Sequence, residues 1–379
     1  MVVTPPAAVT EAVRRIDQFV PSFVKHDAIS NHVQQVRRLL RSAGYSSDVY
    51  YEHLDPRLEG EARPFADCDP APDPERLILY HASTHSDMTD WLIGAARGGQ
   101  AVALDYHNIT PSRYFARWEP LAARSMDLAR RQLADLVPWA ALAVADSAYN
   151  ASELVALGHS RTAVCPLLLD LGEFHQEPDP AAVARLANRG SGPLWLFVGR
   201  LAPNKCQHDV IAAFALYRRL YQPGARLALL GGATSARYLL SLQAMAEELE
   251  LGDSVEFVGS AGFPEMLAYF AAADAFVCLS EHEGFCVPLI EAMEVGVPVV
   301  AYRSSAVTET VGSSGILLDD KDPLAVAAAV EALLSDGERR RAAVEAGRRR
   351  AADFSRPRTE PRWLEELERF GGPAPASRA

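Results

Sequence analysis

The 379-residue sequence contains no long apolar run. Its longest apolar segments, such as Leu136–Ala145, fall well short of the roughly 20 residues that a membrane-spanning helix requires. Met1 to Val9 has neither a basic region nor a long apolar stretch, so we expect no signal peptide and a cytoplasmic protein. Basic residues are outnumbered, with 37 Lys and Arg against 49 Asp and Glu, and the formal charge of −12 argues against a nucleic-acid partner.

Cysteines are few, and no CxxC pair is present. The five cysteines are Cys68, Cys165, Cys206, Cys278 and Cys286. Their odd number and scattered positions favour reduced thiols over a disulfide framework or a zinc site. Two histidines four residues apart, His81 and His85, follow a predicted strand and have no glutamate between them, so we reject a metal site there.

Strand-like apolar segments alternate with helix-period segments along the chain, which is typical of parallel sheets covered by helices on both faces. The predicted fold class is α/β, with two facing Rossmann-like doubly wound domains and a ligand cleft between them. The predicted strands are Leu77–Tyr80, Ala101–Asp105, Ala141–Ala145, Leu194–Val198, Arg226–Leu230, Val255–Val258, Ala275–Cys278 and Val297–Ala301. The predicted helices are Asn31–Ser42, Asp209–Leu220 and Tyr238–Leu249.

Proline and glycine are concentrated between the two halves, which places the domain boundary there. We predict an N-terminal domain at 1–175, a linker at 176–192 and a C-terminal domain at 193–352. A last helix at 353–370 is expected to return to the N-terminal domain, and a disordered tail is expected at 371–379.

The most informative stretch is Ser280–Met293, which follows a predicted buried strand and opens a helix. Pro288 suits the first helical position, so the backbone N–H groups around Phe285 to Leu289 favour an anionic phosphate. Glu283 in the loop and Glu291 in the helix can reach opposite ends of one elongated ligand, and a carboxylate can accept both hydroxyls of a ribose. Taken alone, a solvated loop charge and a helix-dipole partner explain the two residues equally well.

A second motif leaves the strand at Phe197–Val198 with a glycine, Gly199, and two cations five positions apart, Arg200 and Lys205. Arginine offers a planar fork and lysine a mobile point charge, so the pair is suited to a pyrophosphate. An isolated spacing of this kind is more often a pair of surface cations.

In combination these motifs resemble the donor-binding domain of family-four glycosyltransferases, which are retaining nucleotide-sugar enzymes with two Rossmann-like domains (the GT-B fold). The resemblance runs from Phe197 to about Pro323. It rests on Gly199-Arg200 through Lys205, Leu230-Gly231-Gly232, Val255–Gly259, the E-x7-E pair Glu283 and Glu291, and Gly296–Ala301. In the first half, Asp27–Asn31 and Tyr106–Pro111 resemble a bacterial branch of that family.

The resemblance implies roles for single residues. Arg200 and Lys205 would hold the diphosphate, Glu291 would accept the ribose hydroxyls, and Glu283 would contact the transferred sugar. The implied catalytic residues are His107, Arg200, Lys205 and Glu283, with His107 contacting the donor sugar. The implied donor-binding residues are Gly199, Arg200, Lys205, Gly231, Val258, Gly259, Glu283, Gly284, Phe285, Cys286, Val287 and Glu291. Cys286 stands where many relatives carry a glycine.

The implied reaction is a metal-independent, retaining transfer of a hexose from a nucleotide diphosphate sugar to a hydroxyl of a small polar acceptor. We favour a UDP-sugar donor and, from the acidic balance and the resemblance, an aminocyclitol acceptor in antibiotic biosynthesis. The candidate acceptor contacts are Asp27, His85, Asp87 and Asn108. We expect no cofactor, no metal, no nucleic acid, no membrane span and no peripheral membrane contact, and the oligomeric state is left open.

Three alternatives remain. The first is a glycosyltransferase of polysaccharide or lipid-linked sugar assembly that uses a GDP- or UDP-sugar. The second is a nucleotide-sugar-binding regulator without turnover. The third is a Rossmann oxidoreductase, which the lack of a G-x-G-x-x-G after any strand disfavours.

Overall fold

The structure is a computed structural model that describes residues 13–25, 27–188 and 190–371. The described chain divides into two units. Unit 1 contains the residues up to Ser112, Leu121–Leu169, and those from Phe354 onward; unit 2 contains Arg113–Pro120 and Asp170–Asp353.

Unit 1 is built on a parallel sheet. Its strands are β1 (Arg15–Phe23), β2 (Val49–Leu54), β3 (Arg63–Pro64), β4 (Arg76–Ala82), β5 (Ala101–Tyr106), β6 (Leu142–Ala145) and β7 (Thr162–Val164). Its helices in this part of the chain are α1 (Ala28–Ser42), α2 (Met88–Arg97), α3 (Pro120–Leu136) and α4 (Ala148–Ala156). The strand order is β3-β2-β1-β4-β5-β6-β7, and every pair is parallel.

Both faces of this sheet are buried. Along β4, Ile78 and Tyr80 belong to one hydrophobic cluster and Leu77 and Leu79 to another. Because successive side chains of a strand point to opposite faces, each cluster covers one face of the sheet. A sheet of parallel strands needs such cover, since its crossover connections lie on the faces.

Unit 2 repeats this architecture. Its strands are β8 (Leu194–Val198), β9 (Arg226–Leu230), β10 (Val255–Gly259), β11 (Ala275–Cys278), β12 (Val299–Tyr302) and β13 (Ile316–Leu318). Its helices are α5 (Pro180–Ala187), α6 (Gln207–Leu220), α7 (Ala236–Glu248), α8 (Phe263–Ala272), α9 (Val287–Val295), α10 (Val307–Val311), α11 (Pro323–Leu334) and α12 (Gly337–Ala352). The strand order is β10-β9-β8-β11-β12-β13, and every pair is parallel. The two parallel sheets confirm the predicted α/β class with two Rossmann-like domains.

Helix α13 (Arg356–Gly371) belongs to unit 1. Its Trp363 is fully buried, packs in the cluster that contains Leu77 and Leu79, and donates its indole N–H to the carbonyl of Pro166 at 2.9 Å. The last helix is therefore part of the core of the first unit.

The stretch 176–192, treated above as a linker, contains α5. Asp179 caps α5 by accepting from the N–H groups of Ala181 and Ala182, and its own N–H donates to the carbonyl of Pro264. Helix α5 is thus part of unit 2. Gly371, expected in the disordered tail, is the last residue of α13. The expectations for Met1 to Val9 and for the rest of the tail lie outside the described residues. In the described ranges, no helix combines the length and the apolar character that crossing a bilayer requires.

Candidate functional site

The strand order of unit 2 changes direction between β8 and β11. Strands β9 and β10 lie on one side of this position in the sheet, and β12 and β13 lie on the other. Ligands of open α/β sheets bind outside the carboxyl ends of the strands at such a switch point. The loop after β8 carries Arg200 and Lys205, and the loop after β11 carries Glu283, so three predicted residues lie at this position.

Lys205 and Glu283 form an ion pair across the switch point. The Lys205 Nζ donates to Glu283 Oε2, and both side chains are largely buried, 19% and 6% exposed. Burial acts to lower the pKa of Lys205, but the attraction of Glu283 outweighs it and the net pKa is raised. The site therefore keeps a fixed positive charge next to a carboxylate acceptor.

Hydrogen bonds to main-chain groups hold these two loops in place. The side-chain amide of Asn204 donates to the carbonyl of His282 at 3.0 Å, and the N–H of Glu281 donates to the carbonyl of Asn204 at 2.9 Å. The N–H of Glu283 donates to the Ser305 hydroxyl at 2.8 Å. These contacts place Lys205 and Glu283 in a preorganised arrangement, although they lie 78 residues apart in sequence.

Glycines end three neighbouring strands. The first residue after β8 is Gly199, the first after β9 is Gly231, and the last residue of β10 is Gly259. A Cβ on Gly231 would lie 2.1 Å from the carbonyl oxygen of Gly199, so only glycine lets the two strand ends approach this closely. A β-bulge at the end of β10 leaves Val258 without a register partner on β9. That is the stretch whose main chain is predicted to meet a nucleotide base.

Helix α9 begins at the switch point with Val287, one residue before the predicted first position, so Pro288 is the second helical residue. Its N-cap is Cys286, which adopts a left-handed conformation with φ of 71° and provides no side-chain cap. The helix N-terminus is therefore uncapped by a side chain and favours an anion. Gly284 and Phe285 lead into it.

The conformation of Cys286 gives a stability prediction. Left-handed backbone costs a non-glycine residue roughly 1–2 kcal/mol, and burying a thiol contributes a gain of similar size. We expect Cys286→Gly to change the apparent free energy of unfolding by less than about 1 kcal/mol, and β-branched Cys286→Val to destabilise by about 2 kcal/mol. Urea unfolding of both variants measures this. A destabilised glycine variant beside a neutral valine variant would contradict it.

Two further predicted donor-binding residues have polar groups without partners in the described part of the chain. Arg200 is exposed and its guanidinium makes no hydrogen bond or ion pair within the described ranges. Glu291, on α9, is partly accessible, and no partner for its carboxylate is found among the described residues. Burial raises the pKa of Glu291 to about 7. Both groups are thus available to a ligand.

In unit 1, two of the four candidate acceptor contacts are already used internally. The Asp27 carboxylate caps α1 by accepting from the N–H and hydroxyl of Ser30. Asn108, in a left-handed conformation, donates to Asn150 at 2.9 Å and to Glu153 at 3.3 Å. These contacts give both residues structural roles, and their contact with an acceptor stays a prediction.

The other two acceptor candidates follow β4. His85 is partly accessible, and Asp87 is exposed at the start of α2. The N–H of Asp87 and the hydroxyl of Ser86 donate to the two carboxylate oxygens of Glu52. Glu52 lies on β2 and was missed by the sequence analysis, because a single carboxylate in a strand carries no motif.

His107 lies in a buried polar cluster at the carboxyl ends of β4 and β5. Its Nε2 is 2.9 Å from His81 Nδ1 and 3.2 Å from Asp105 Oδ2, and its Nδ1 donates to Asp146 at 3.1 Å. Burial acts to lower the pKa of His107, but the two carboxylates outweigh it and the pKa is raised well above its usual value. Both ring nitrogens are therefore occupied inside unit 1. A contact between this ring and a sugar stays a prediction.

Sequence comparison identifies a family match in the second half of the chain. Residues 180–350 match the family model described as glycosyl transferases group 1. The match covers just under half of the chain and contains the switch point, Arg200, Lys205, Glu283 and Glu291.

Two curated relatives are similar over part of their length. A GDP-mannose-dependent alpha-(1-6)-phosphatidylinositol monomannoside mannosyltransferase of Mycolicibacterium smegmatis is 38% identical over 202 residues, 50% of this chain and 52% of the relative. A D-inositol 3-phosphate glycosyltransferase of Thermobispora bispora is 33% identical over 242 residues, 60% of this chain and 56% of the relative. The chain thus matches slightly more than half the length of these relatives.

Solved structures share the fold over nearly the whole chain. The crystal structure of Anabaena HepE in complex with UDP and glucose superposes with a TM-score of 0.72, covering 94% of this chain and 100% of that one at 17% identity. At this identity the likeness establishes the architecture alone.

Proposed function

We propose that the chain is a retaining glycosyltransferase that moves a hexose from a nucleotide diphosphate sugar to a hydroxyl of a small polar acceptor. The observation that carries the proposal is the Lys205–Glu283 pair at the β8/β11 switch point, with Arg200 and Glu291 free to receive a ligand. The match to glycosyl transferases group 1 covers the same residues.

Each residue is assigned to one part of the donor molecule. Arg200 and Lys205 stabilise the diphosphate as its charge grows on leaving, so this step needs no divalent ion at the phosphates. Glu291 accepts the ribose hydroxyls, and Glu283 accepts a hydroxyl of the hexose while remaining paired with Lys205. In the transfer, the bond from the anomeric carbon to the phosphate oxygen breaks and the bond to the acceptor oxygen forms on the same face. The acceptor proton passes to the leaving phosphate, and a nucleoside diphosphate is released.

The acceptor is proposed to be a cyclitol. The names of both relatives specify an inositol-containing acceptor, and the net acidity of the chain suits an aminocyclitol. The nucleoside of the donor is uridine or guanosine: the sequence analysis favours a UDP-sugar, whereas the mannosyltransferase relative is GDP-mannose-dependent.

A ligand screen tests the proposal. We expect UDP or GDP, and the matching sugar nucleotide, to raise the melting temperature by several degrees at concentrations well above Kd, while inorganic pyrophosphate alone has a smaller effect. Inositol and aminocyclitols are then tested as acceptors by release of nucleoside diphosphate, with the anomeric configuration of the product read by NMR. The absence of any shift with nucleoside diphosphates, or inversion at the anomeric carbon, would refute the proposal.

A further inference from the structure

The buried cluster around His107 contains donor atoms at metal-ligand spacing. His81 Nδ1, His107 Nε2 and Asp105 Oδ2 form a triangle with sides of 2.9, 3.0 and 3.2 Å. At metal–nitrogen distances of about 2.1 Å, neighbouring ligand atoms lie roughly 3.0 Å apart in octahedral and 3.4 Å apart in tetrahedral geometry. All three side chains are 0–1% exposed.

The outer partners of the two imidazoles fix the tautomers that a metal requires. His107 directs Nδ1 at Asp146, 3.1 Å away, and His81 directs Nε2 at the amide oxygen of Gln18, 3.0 Å away. Each ring therefore donates its outward N–H to an oxygen and points its other nitrogen into the triangle. Metal-binding histidines are held in this way.

His32 also belongs to the cluster, but it contacts Asp105 from outside the triangle. Its Nδ1 accepts from the N–H of Leu168 at 2.8 Å, so its Nε2 carries the proton and donates to Asp105 Oδ2 at 3.1 Å. This hydrogen bond orients the Asp105 carboxylate. The other oxygen of Asp105 is buried and has no hydrogen-bond partner among the described residues. A buried carboxylate oxygen without a partner is costly, so the hydrogen bonds among the described residues leave the Asp105 carboxylate incompletely satisfied.

The balance of charge in the cluster also favours a bound cation. Asp105 and Asp146 are both buried, and within the described ranges neither is paired with a lysine or an arginine. His107, which lies between the two carboxylates, can supply at most one positive charge, whereas one divalent cation balances both. The two other clusters of potential ligands already hold a lysine: Lys321 pairs with Asp209, and Lys205 with Glu283.

We propose that unit 1 binds one divalent first-row transition metal of the zinc type through His81 Nδ1, His107 Nε2 and Asp105 Oδ2. Two imidazoles and one carboxylate select such ions over calcium and magnesium, which prefer oxygen ligands. Because the cluster is closed to solvent, the ion has a structural role and ties the end of β4 to the end of β5. The proton between the two histidines leaves to solvent on binding. This inference does not depend on the proposed transferase activity.

Metal analysis of the full chain tests the site. The protein is stripped with chelator, loaded with Zn²⁺ or Co²⁺, desalted and assayed by mass spectrometry of the metal. We expect about one ion per chain, a higher melting temperature than the stripped protein, and a loss of binding of tenfold or more in Asp105→Asn and His81→Gln. His53→Ala, which alters an exposed histidine, Cys206→Ser and Cys278→Ser should keep one ion.

The Co²⁺ spectrum of the wild type gives a second readout that needs no variant. Visible d–d bands without a thiolate charge-transfer band support ligation by nitrogen and oxygen, and they decide the question if Asp105→Asn or His81→Gln fails to fold. A thiolate band, less than one tenth of an ion per chain in excess metal, or full binding by both variants would overturn the proposal.

Discussion

We expect Lys205→Ala to lower kcat/KM for sugar transfer by roughly 100- to 1,000-fold, the usual loss when one preorganised group that stabilises developing negative charge is removed. The variant takes away the cation held at the switch point and leaves Glu283, 6% exposed, without its partner. The steady-state rate of nucleoside diphosphate release measures the effect.

Two further variants separate the chemical loss from a folding defect. Lys205→Ala combined with Glu283→Gln removes the unpaired buried charge, so it should recover melting temperature but not transfer. Lys25→Ala, at an exposed lysine of unit 1, should match the wild type in both. If Lys205→Ala alone kept transfer within threefold of the wild type, Lys205 would have no role in leaving-group stabilisation.

The second large effect is expected at Glu291. Hydrogen bonds to a charged group contribute about 1.5–3 kcal/mol, so Glu291→Gln should weaken the binding of a nucleoside diphosphate by roughly 10- to 100-fold. Inorganic pyrophosphate, which has no ribose, should bind both proteins equally. Calorimetric titration measures both ligands, and Glu294→Gln, one turn further along α9, is the matched control.

The pKa of about 7 adds a pH signature to this residue. Ribose hydroxyls donate to the ionised carboxylate, so the nucleotide affinity of the wild type should fall as pH drops below about 7. The affinity of Glu291→Gln should lack this pH dependence.

The stability of the folded protein should have the opposite pH dependence. The pKa of Glu291 is raised in the folded state from 4.5, so its favourable contribution is present at low pH and is lost as pH rises through 7. Glu291→Gln should therefore melt higher than the wild type at pH 8 and alike at pH 4. Identical pH profiles for both proteins would refute the assignment.

The positions of the predicted donor-binding residues in the fold were largely predictable because these residues follow strand ends. Gly199, Arg200 and Lys205 after β8 and Glu283 after β11 could be placed from the apolar pattern alone, since the carboxyl ends of parallel strands share one edge. The ion pair between Lys205 and Glu283 was not predictable, because it depends on β8 and β11 being neighbours in the sheet.

The polar cluster of unit 1 escaped sequence reasoning for a related reason. His32, His81 and Asp105 come from three different elements, and no spacing in the sequence brings them together. His81 was considered only with His85, four residues away, although its partners are 24 and 26 residues further along the chain. Long-range side-chain contacts of this kind require the strand order.

Strand β1 was also missed, and Pro21 explains why. A proline inside an apolar run argues against a central strand because it cannot donate to the ladder. In the structure β1 pairs with β4 only from Arg15 to Phe19, so Pro21 lies beyond that ladder. On its other side, Val20 and Ser22 pair with β2 around the proline.

The place of α13 in unit 1 has a consequence for synthesis. Trp363 fills the core beneath β4 and contacts the ring of His32, with centroids 5.1 Å apart. The ribosome makes this tryptophan only after all of unit 2. Part of the interior of the first unit therefore stays uncovered until synthesis has passed the second unit, and a chain cut before Arg356 would leave that interior permanently open.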